Sequence, residues 1–77
     1  MARLYTKVKI YGSWANIVVC DEERIEAVKA ACEALAAESV VSMAFKIVDG
    51  VGDTRQYACL PALGAPHDGW HTPHISK

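Results

Sequence analysis

The chain has 77 residues, of which 52% are apolar and 22% charged, and its formal net charge at pH 7 is −1. This length predicts one domain with a small core, and the composition is that of a folded protein rather than a disordered one. The net charge argues against a function that depends mainly on phosphate contacts. No stretch reaches the roughly 20 apolar residues that span a bilayer. The first residues alternate in hydropathy, so we expect no signal peptide.

The three cysteines, Cys20, Cys32 and Cys59, lie far apart and form no CxxC pair. An odd number of cysteines without a secretory signal favours reduced thiols in the cytoplasm. Each cysteine lies among apolar residues, which is typical of small buried side chains rather than of a nucleophile. We therefore expect a cytoplasmic location and no disulfide framework.

Residues 4 to 11 alternate in hydropathy with the period of two that marks a half-buried strand. Gly12 and Ser13 suit a two-residue hairpin turn, and residues 14 to 21 would return as the second strand. This turn pairs Tyr11 with Trp14 and Val8 with Ile17. The face turned towards the core would then carry Leu4, Thr6, Val8, Ile10, Ala15, Ile17 and Val19.

Residues 22 to 37 have the apolar spacing of an amphipathic helix. Asp21 is a suitable N-cap, and Glu22 and Glu23 place negative charge where the helix dipole favours it. The predicted apolar stripe consists of Ile25, Val28, Ala31, Cys32, Leu35 and Ala36.

Residues 39 to 48 alternate again, residues 49 to 53 are rich in turn formers, and residues 54 to 60 predict a shorter fourth strand. The order β-β-α-β-β predicts an α+β fold, in which a four-stranded antiparallel sheet carries one helix on one face. Residues 1–60 would form this single domain. Residues 61–77 contain three prolines and predict an irregular C-terminal tail, partly docked through Trp70.

The segment HDGWHTPH, residues 67–74, gathers potential metal ligands in this tail. His67, His71, His74 and Asp68 are ligand types for zinc or copper, but the spacing H-x3-H-x2-H matches no ligand signature. Pro73 also prevents a helix that would present His71 and His74 on one face. We predict no metal and no other cofactor, and a small metal-binding protein stays as an alternative.

Motifs typical of catalysis are missing from the sequence, which has no GxSxG, no glycine-rich loop between strand and helix and no dinucleotide fingerprint. The stretch DGVGD, residues 49–53, lies between two predicted strands, and its acidic ends would repel a phosphate group. We therefore predict that the chain is not an enzyme.

Two surfaces are candidates for binding a partner. The outer sheet face would combine aromatic and basic side chains, which are enriched at protein–protein hot spots and also form platforms for single-stranded nucleic acids. The helix side is acidic, because residues 21 to 38 contain six acids and two bases, and it could contact a basic partner. The candidate partner-binding residues are Tyr5, Lys7, Lys9, Tyr11, Trp14, Glu22, Glu23, Glu26 and Glu33.

With its compact β-β-α-β-β core and no cofactor signature, the chain resembles the small inhibitor proteins of the anti-CRISPR type that bacteriophages and mobile elements use against host defences. The resemblance is one of size and architecture without a shared motif, so no functional residue is carried over. It implies a partner among the subunits of a CRISPR effector complex and a location in the host cytoplasm.

We therefore expect a non-catalytic protein-binding module, in particular an inhibitor that blocks a host nucleic-acid-binding complex by occupying a charged surface. One alternative is a single-stranded nucleic-acid-binding protein that uses the face from Tyr5 to Trp14, and the other is the metal-binding protein. No membrane partner is expected. A free sheet edge leaves a homodimer open.

Overall fold

The computed structural model describes residues 3–10 and 12–73. Four strands and one helix make up the fold: β1 (Arg3–Ile10), β2 (Ser13–Asp21), α1 (Ile25–Ala37), β3 (Met43–Val48) and β4 (Thr54–Leu60). A short 3-10 turn at Glu22–Arg24 precedes the helix, and a second one at Ala62–Gly64 follows the last strand. All neighbouring strands are antiparallel in the order β2-β1-β3-β4, which confirms the predicted α+β fold.

The first hairpin turns one residue earlier than the sequence predicts. Ile10 pairs with Ser13 and Lys9 pairs with Trp14, so Ser13 belongs to β2 rather than to the turn. Gly12 has a φ of 83°, a conformation that glycine adopts without strain. The predicted pairs of Tyr11 with Trp14 and of Val8 with Ile17 are therefore wrong, and Tyr11 itself lies outside the described residues.

A β-bulge at Ile17 reverses the predicted alternation in the second half of β2. Lys7 pairs with Asn16 and Thr6 pairs with Val18, which leaves Ile17 as the extra residue. Val18 consequently shares the inward face with Thr6, whereas Val19 lies on the outward face. The prediction that Ile17 and Val19 face the core is wrong, because alternation in the sequence cannot show an inserted residue.

The core lies between α1 and the inner faces of three strands. Its buried cluster consists of Val8, Cys32, Ala36, Phe45, Ala58 and Leu60. These residues come from β1, α1, β3 and β4, whereas no residue of β2, all of which is described, is buried. The helix therefore covers three strands and leaves the fourth exposed. Within the described ranges no helix is long and apolar enough to cross a membrane.

The helix is rotated about its axis relative to the predicted stripe. Cys32 and Ala36 are buried, but Leu35 is 53% exposed. Lys29, which is not part of the predicted stripe, keeps only 13% of its side chain exposed, and its Nζ lies 5.9 Å from the ring centroid of Trp70. Asp21 makes no side-chain capping hydrogen bond and instead ends β2. The docked tail, which the helical period cannot reveal, provides the additional surface on the Lys29 side.

The loop between β3 and β4 is organised by one carboxylate. Oδ1 of Asp49 accepts hydrogen bonds from the backbone N–H groups of Val51 and Asp53, each at 3.0 Å. The same side chain lies 4.0 Å from the guanidinium of Arg55. Asp49 thus has a structural role as the acceptor of an Asx-type turn, which agrees with the prediction of a plain hairpin loop.

The segment before β3 is not a strand, although the sequence predicts one from residue 39. β3 begins at Met43, and Val40 and Val41 are exposed. The hydroxyl of Ser39 donates a hydrogen bond to the carbonyl oxygen of Val41 at 2.6 Å, and the carbonyl of Ser39 accepts one from Leu63 N–H at 2.9 Å. These local bonds turn the chain where the hydropathy pattern alone would extend it.

The tail folds back onto the domain along β4. His71 exchanges two backbone hydrogen bonds with Tyr57, at 2.8 and 3.0 Å, and so forms an isolated antiparallel β-bridge with that edge strand. Trp70 points to the helix side, where its ring centroid lies 6.3 Å from that of Phe45. Its indole N–H donates a hydrogen bond of 2.9 Å to Glu33 Oε2. Trp70 therefore anchors the tail, as its size predicted.

Thr6 supplies a test of the core. It is fully buried, and its Oγ1 has no hydrogen-bond partner among the described residues. An unsatisfied buried hydroxyl costs about 1 to 3 kcal/mol. We expect Thr6→Val to raise the free energy of unfolding by about 1 kcal/mol in urea denaturation, since valine keeps the shape and removes the polar atom. Thr6→Ser, which keeps the hydroxyl and loses a methyl group, should lower it. A destabilised Thr6→Val variant would contradict this account.

Trp70→Ala tests the anchoring of the tail. We expect the free energy of unfolding to fall by about 2 kcal/mol, roughly half the effect of removing a fully buried tryptophan. Amide exchange at His71 should also accelerate, because its two backbone bonds depend on the anchored tail. Asp68→Ala, a change at an exposed tail residue, is the control and should alter neither quantity. If amide exchange at His71 were unchanged in Trp70→Ala, the backbone pairing with Tyr57 would be enough to hold the tail without the tryptophan.

Candidate binding surface

A single row of polar and aromatic side chains crosses the outer face of the sheet, the face opposite α1. The successive cross-strand partners are Asn16, Lys7, Lys46, Tyr57 and His71. Directly opposed residues project to the same side of a sheet. This side is the outer one, because the neighbours of Lys46 along β3, Phe45 and Ile47, are buried in the core.

The centre of this face holds a cation–π pair. Lys7 and Lys46 are directly opposed, and two like charges in that position repel each other. The ammonium group of Lys46 reaches across β1 and lies 4.4 Å from the ring centroid of Trp14. An exposed cation–π contact of this kind contributes about 0.5 to 1 kcal/mol. The contact links β3 to the outer edge strand β2 across β1.

An open groove of about 930 Å³ lies between this pair and the docked tail. Trp14, Lys46 and Tyr57 line it from the sheet, and His67 and Asp68 line it from the tail. The ring centroids of Tyr57 and His71 are 5.5 Å apart, so the tail extends the aromatic surface of β4. The groove therefore has an aromatic and basic side and one carboxylate at its margin.

Four of the five predicted sheet-face residues share the outer face, namely Tyr5, Lys7, Lys9 and Trp14. Lys9 pairs directly with Trp14, and Tyr5 lies half-buried on the same face opposite Val48. The fifth, Tyr11, is outside the described residues. The sequence pattern does not join Lys46, Tyr57 and His71 to this set. Alternation along β3 predicts that Lys46 projects from the other face of the sheet than Phe45. Only the pairing of β1 with β3 brings Lys46 beside Lys7.

The acidic residues of the helix side largely have partners within the chain. Glu22 pairs with Arg55 at 3.1 Å, and Glu26 pairs with Lys29 at 3.3 Å. Glu33 accepts the hydrogen bond from the indole of Trp70. Glu23, the fourth predicted residue, is exposed. The acidic side thus stabilises the fold and holds the tail, and less of its charge is left for a partner.

Two of the tail histidines, His67 and His71, lie within the described residues and take part in separate local contacts. Nδ1 of His67 accepts a hydrogen bond from Gly69 N–H at 2.9 Å, and His71 stacks beside Tyr57. His74 is outside the described residues. Over residues 3–10 and 12–73, no group of three or more His, Cys, Asp or Glu side chains lies close enough to hold a metal ion.

The three cysteines are free thiols in different environments. Cys32 is buried, Cys20 is half-buried and Cys59 is exposed. Burial, together with the nearby negative charge of Glu33, raises the pKa of the Cys32 thiol to about 11. Burial followed by the charge of Asp21 also raises the pKa of Cys20. Neither group favours the reactive thiolate form at neutral pH.

Comparison of the chain with protein-family models, curated proteins and solved structures finds no match. The functional argument therefore depends on the geometry of the surface.

The buried thiol of Cys32 predicts a pH dependence of stability. The folded state raises the pKa of this group from 9.0 to about 11 and so favours the neutral thiol. Its contribution to stability is complete below pH 9 and is lost as the pH rises through 11. Urea unfolding at pH 8 and at pH 10.5 should show a fall in stability that Cys32→Ala reduces and Cys59→Ala leaves unchanged. An equal fall in all three proteins would contradict this assignment.

Proposed function

We propose that the chain is a non-catalytic binding module that uses the outer sheet face to hold an acidic protein surface. The observation that carries the proposal is the exposed ring of Trp14, whose centroid lies 4.4 Å from the ammonium group of Lys46. Two further lysines lie on the same face, since Lys9 pairs with Trp14 and Lys7 pairs with Lys46. Tryptophan and cationic side chains supply much of the energy at protein interfaces. A partner with carboxylates around an apolar patch complements this arrangement.

The charge distribution supports the sheet face over the helix side. Lysine charges on the outer face would attract an acidic partner from a distance and raise the association rate. The indole, fixed by the cation–π contact, would bury its ring with little loss of conformational freedom and so slow dissociation. On the helix side, by contrast, Glu22, Glu26 and Glu33 would first have to leave their partners within the chain.

In a narrower form, the proposal makes the chain an inhibitor similar to the anti-CRISPR type. It would act in the host cytoplasm, where its thiols stay reduced. It would occupy a charged, acidic surface on a subunit of a nucleic-acid-binding complex and exclude the natural ligand by steric means. This form predicts that the chain restores phage or plasmid survival in a cell that carries the targeted complex.

The test is capture of a partner from host lysate, its identification, and titration of the purified partner with matched variants. We expect Trp14→Ala and Lys46→Glu each to weaken binding by about 30-fold or more, the scale of a hot-spot residue. Arg24→Glu, the same kind of charge reversal at an exposed helix-side position, should change affinity less than about threefold. If the double variant Glu22→Lys/Glu26→Lys lost binding and Trp14→Ala kept it, the acidic helix side would be favoured as the binding surface instead.

A single-stranded nucleic-acid platform is the second candidate, because the exposed rings of Trp14 and Tyr57 lie on either side of Lys46 on one face. Bases could stack on these rings while the lysines contact phosphates. Titration of fluorescent oligonucleotides distinguishes the two functions. Nucleic-acid binding would fall steeply with salt and disappear in Lys46→Glu, whereas the proposed protein-binding module would bind no oligonucleotide at physiological salt.

A further inference from the structure

The strand β2 is an unprotected sheet edge. It stands at one end of the strand order and has nine residues, and residues 13 to 20 carry no charge, proline or glycine. Natural edge strands are usually short, charged or covered, because their free N–H and C=O groups pair with other strands. The bulge at Ile17 is the one such device on β2. It does not hide apolar surface, because Ile17, Val18 and Val19 are 44%, 38% and 49% exposed.

The opposite edge of the same sheet is β4, which has a partner segment and a charge. The tail covers β4 through the two backbone bonds between His71 and Tyr57. Arg55 adds a charge to β4 and pairs with Glu22. The fold therefore blocks the middle of one edge with its own C-terminal segment, whereas no described residue forms such a bridge with the apolar edge β2.

We propose that a second copy of this chain pairs with β2, strand against strand, in an antiparallel two-fold dimer. An antiparallel strand can pair with its own copy about a two-fold axis, which produces a closed dimer with the same surface on both sides. The two sheets would join into one sheet of eight strands. The apolar side chains of residues 17 to 19 would then lose contact with water at the junction.

The charges along the edge fit this self-pairing. Asp21 is the one charged residue of β2 and lies at its end. A register that sets Asp21 of one copy opposite Trp14 of the other, and Asn16 opposite Val19, keeps outward residues opposite outward ones, so the two carboxylates lie at opposite ends of the junction. Each carboxylate also comes near the end of the partner's β1 that carries Lys9, the register partner of Trp14. The same register thus separates like charges and brings opposite charges closer.

The size of the edge sets the expected strength. A strand of nine residues is about 30 Å long and a sheet is about 10 Å thick, so each copy offers about 300 Å². The pair would bury about 600 Å² in total, which is half the roughly 1,200 Å² at the lower end of standard stable interfaces. We therefore expect a reversible dimer that forms at micromolar or higher concentrations. The outer face around Lys46 stays open in this arrangement.

Sedimentation equilibrium of the whole chain from about 10 µM to 1 mM tests the dimer. The apparent mass should rise from the 8.4 kDa of one chain towards twice that value. Val19→Lys and Ile17→Lys, which place a charge at the junction, should each raise the dissociation constant at least about tenfold. The matched control is Val51→Lys in the loop between β3 and β4, where the valine is 83% exposed, and it should dimerise as the unmodified chain does.

A monomer at every concentration would overturn the proposal, and so would open-ended association beyond the dimer. A dimer that neither edge variant weakens would also overturn it, because another surface would then be responsible. Circular dichroism establishes that the variants fold. If they do not, hydrogen exchange of the unmodified chain decides: exchange in residues 13–21 should slow as concentration rises while exchange in β4 stays constant. Equal behaviour of the two strands would contradict pairing through β2.

Discussion

One helix of 13 residues has to cover a sheet of four strands. An α-helix with its side chains is about 10 Å wide. Four strands at about 4.8 Å spacing are wider than that. The helix therefore covers β1, β3 and β4, and the core cluster contains residues from those strands and none from β2. Because the helix is narrower than the sheet, Trp70 of the tail packs against the core on one side, and the apolar edge strand β2 stays exposed on the other.

The tail compensates for the narrow helix on one flank. Trp70 packs against the core beside Phe45, lies under the ammonium group of Lys29, and donates a hydrogen bond to the carboxylate of Glu33. A large aromatic ring buries more apolar area than several small helix residues would, which matters in a domain of this size. The same segment then crosses to the outer side, where His71 extends the aromatic surface of Tyr57. The tail thus connects the stability of the core to the shape of the proposed binding surface.

Charge is divided between the two sides of the sheet for different purposes. The helix-side acids are bound to Arg55, Lys29 and Trp70, and they hold elements of the fold together. On the outer face, Lys7 and Lys46 oppose each other directly across two strands, and Lys46 also contacts the ring of Trp14. A surface that keeps repelling charges together at some cost to stability is a stronger candidate for function than one whose charges are neutralised internally.

The sequence by itself determined the elements and most of their inward and outward residues. Hydropathy alternation placed Leu4, Thr6 and Val8 inside and Lys7 and Lys9 outside, and the helical period located α1 within a few residues. These properties are local, since they depend on residues two to four positions apart.

Only the tertiary structure decided the features that depend on distant residues. The pairing of β1 with β3 brought Lys46 next to Lys7, the bulge at Ile17 reversed half of β2, and the helix packs with Leu35 exposed while Trp70 docks beside Lys29. The physical reason is common to all three. Strand order, an inserted residue and the site where a ring docks are chosen by packing across the whole chain, and local periodicity contains no information about that choice.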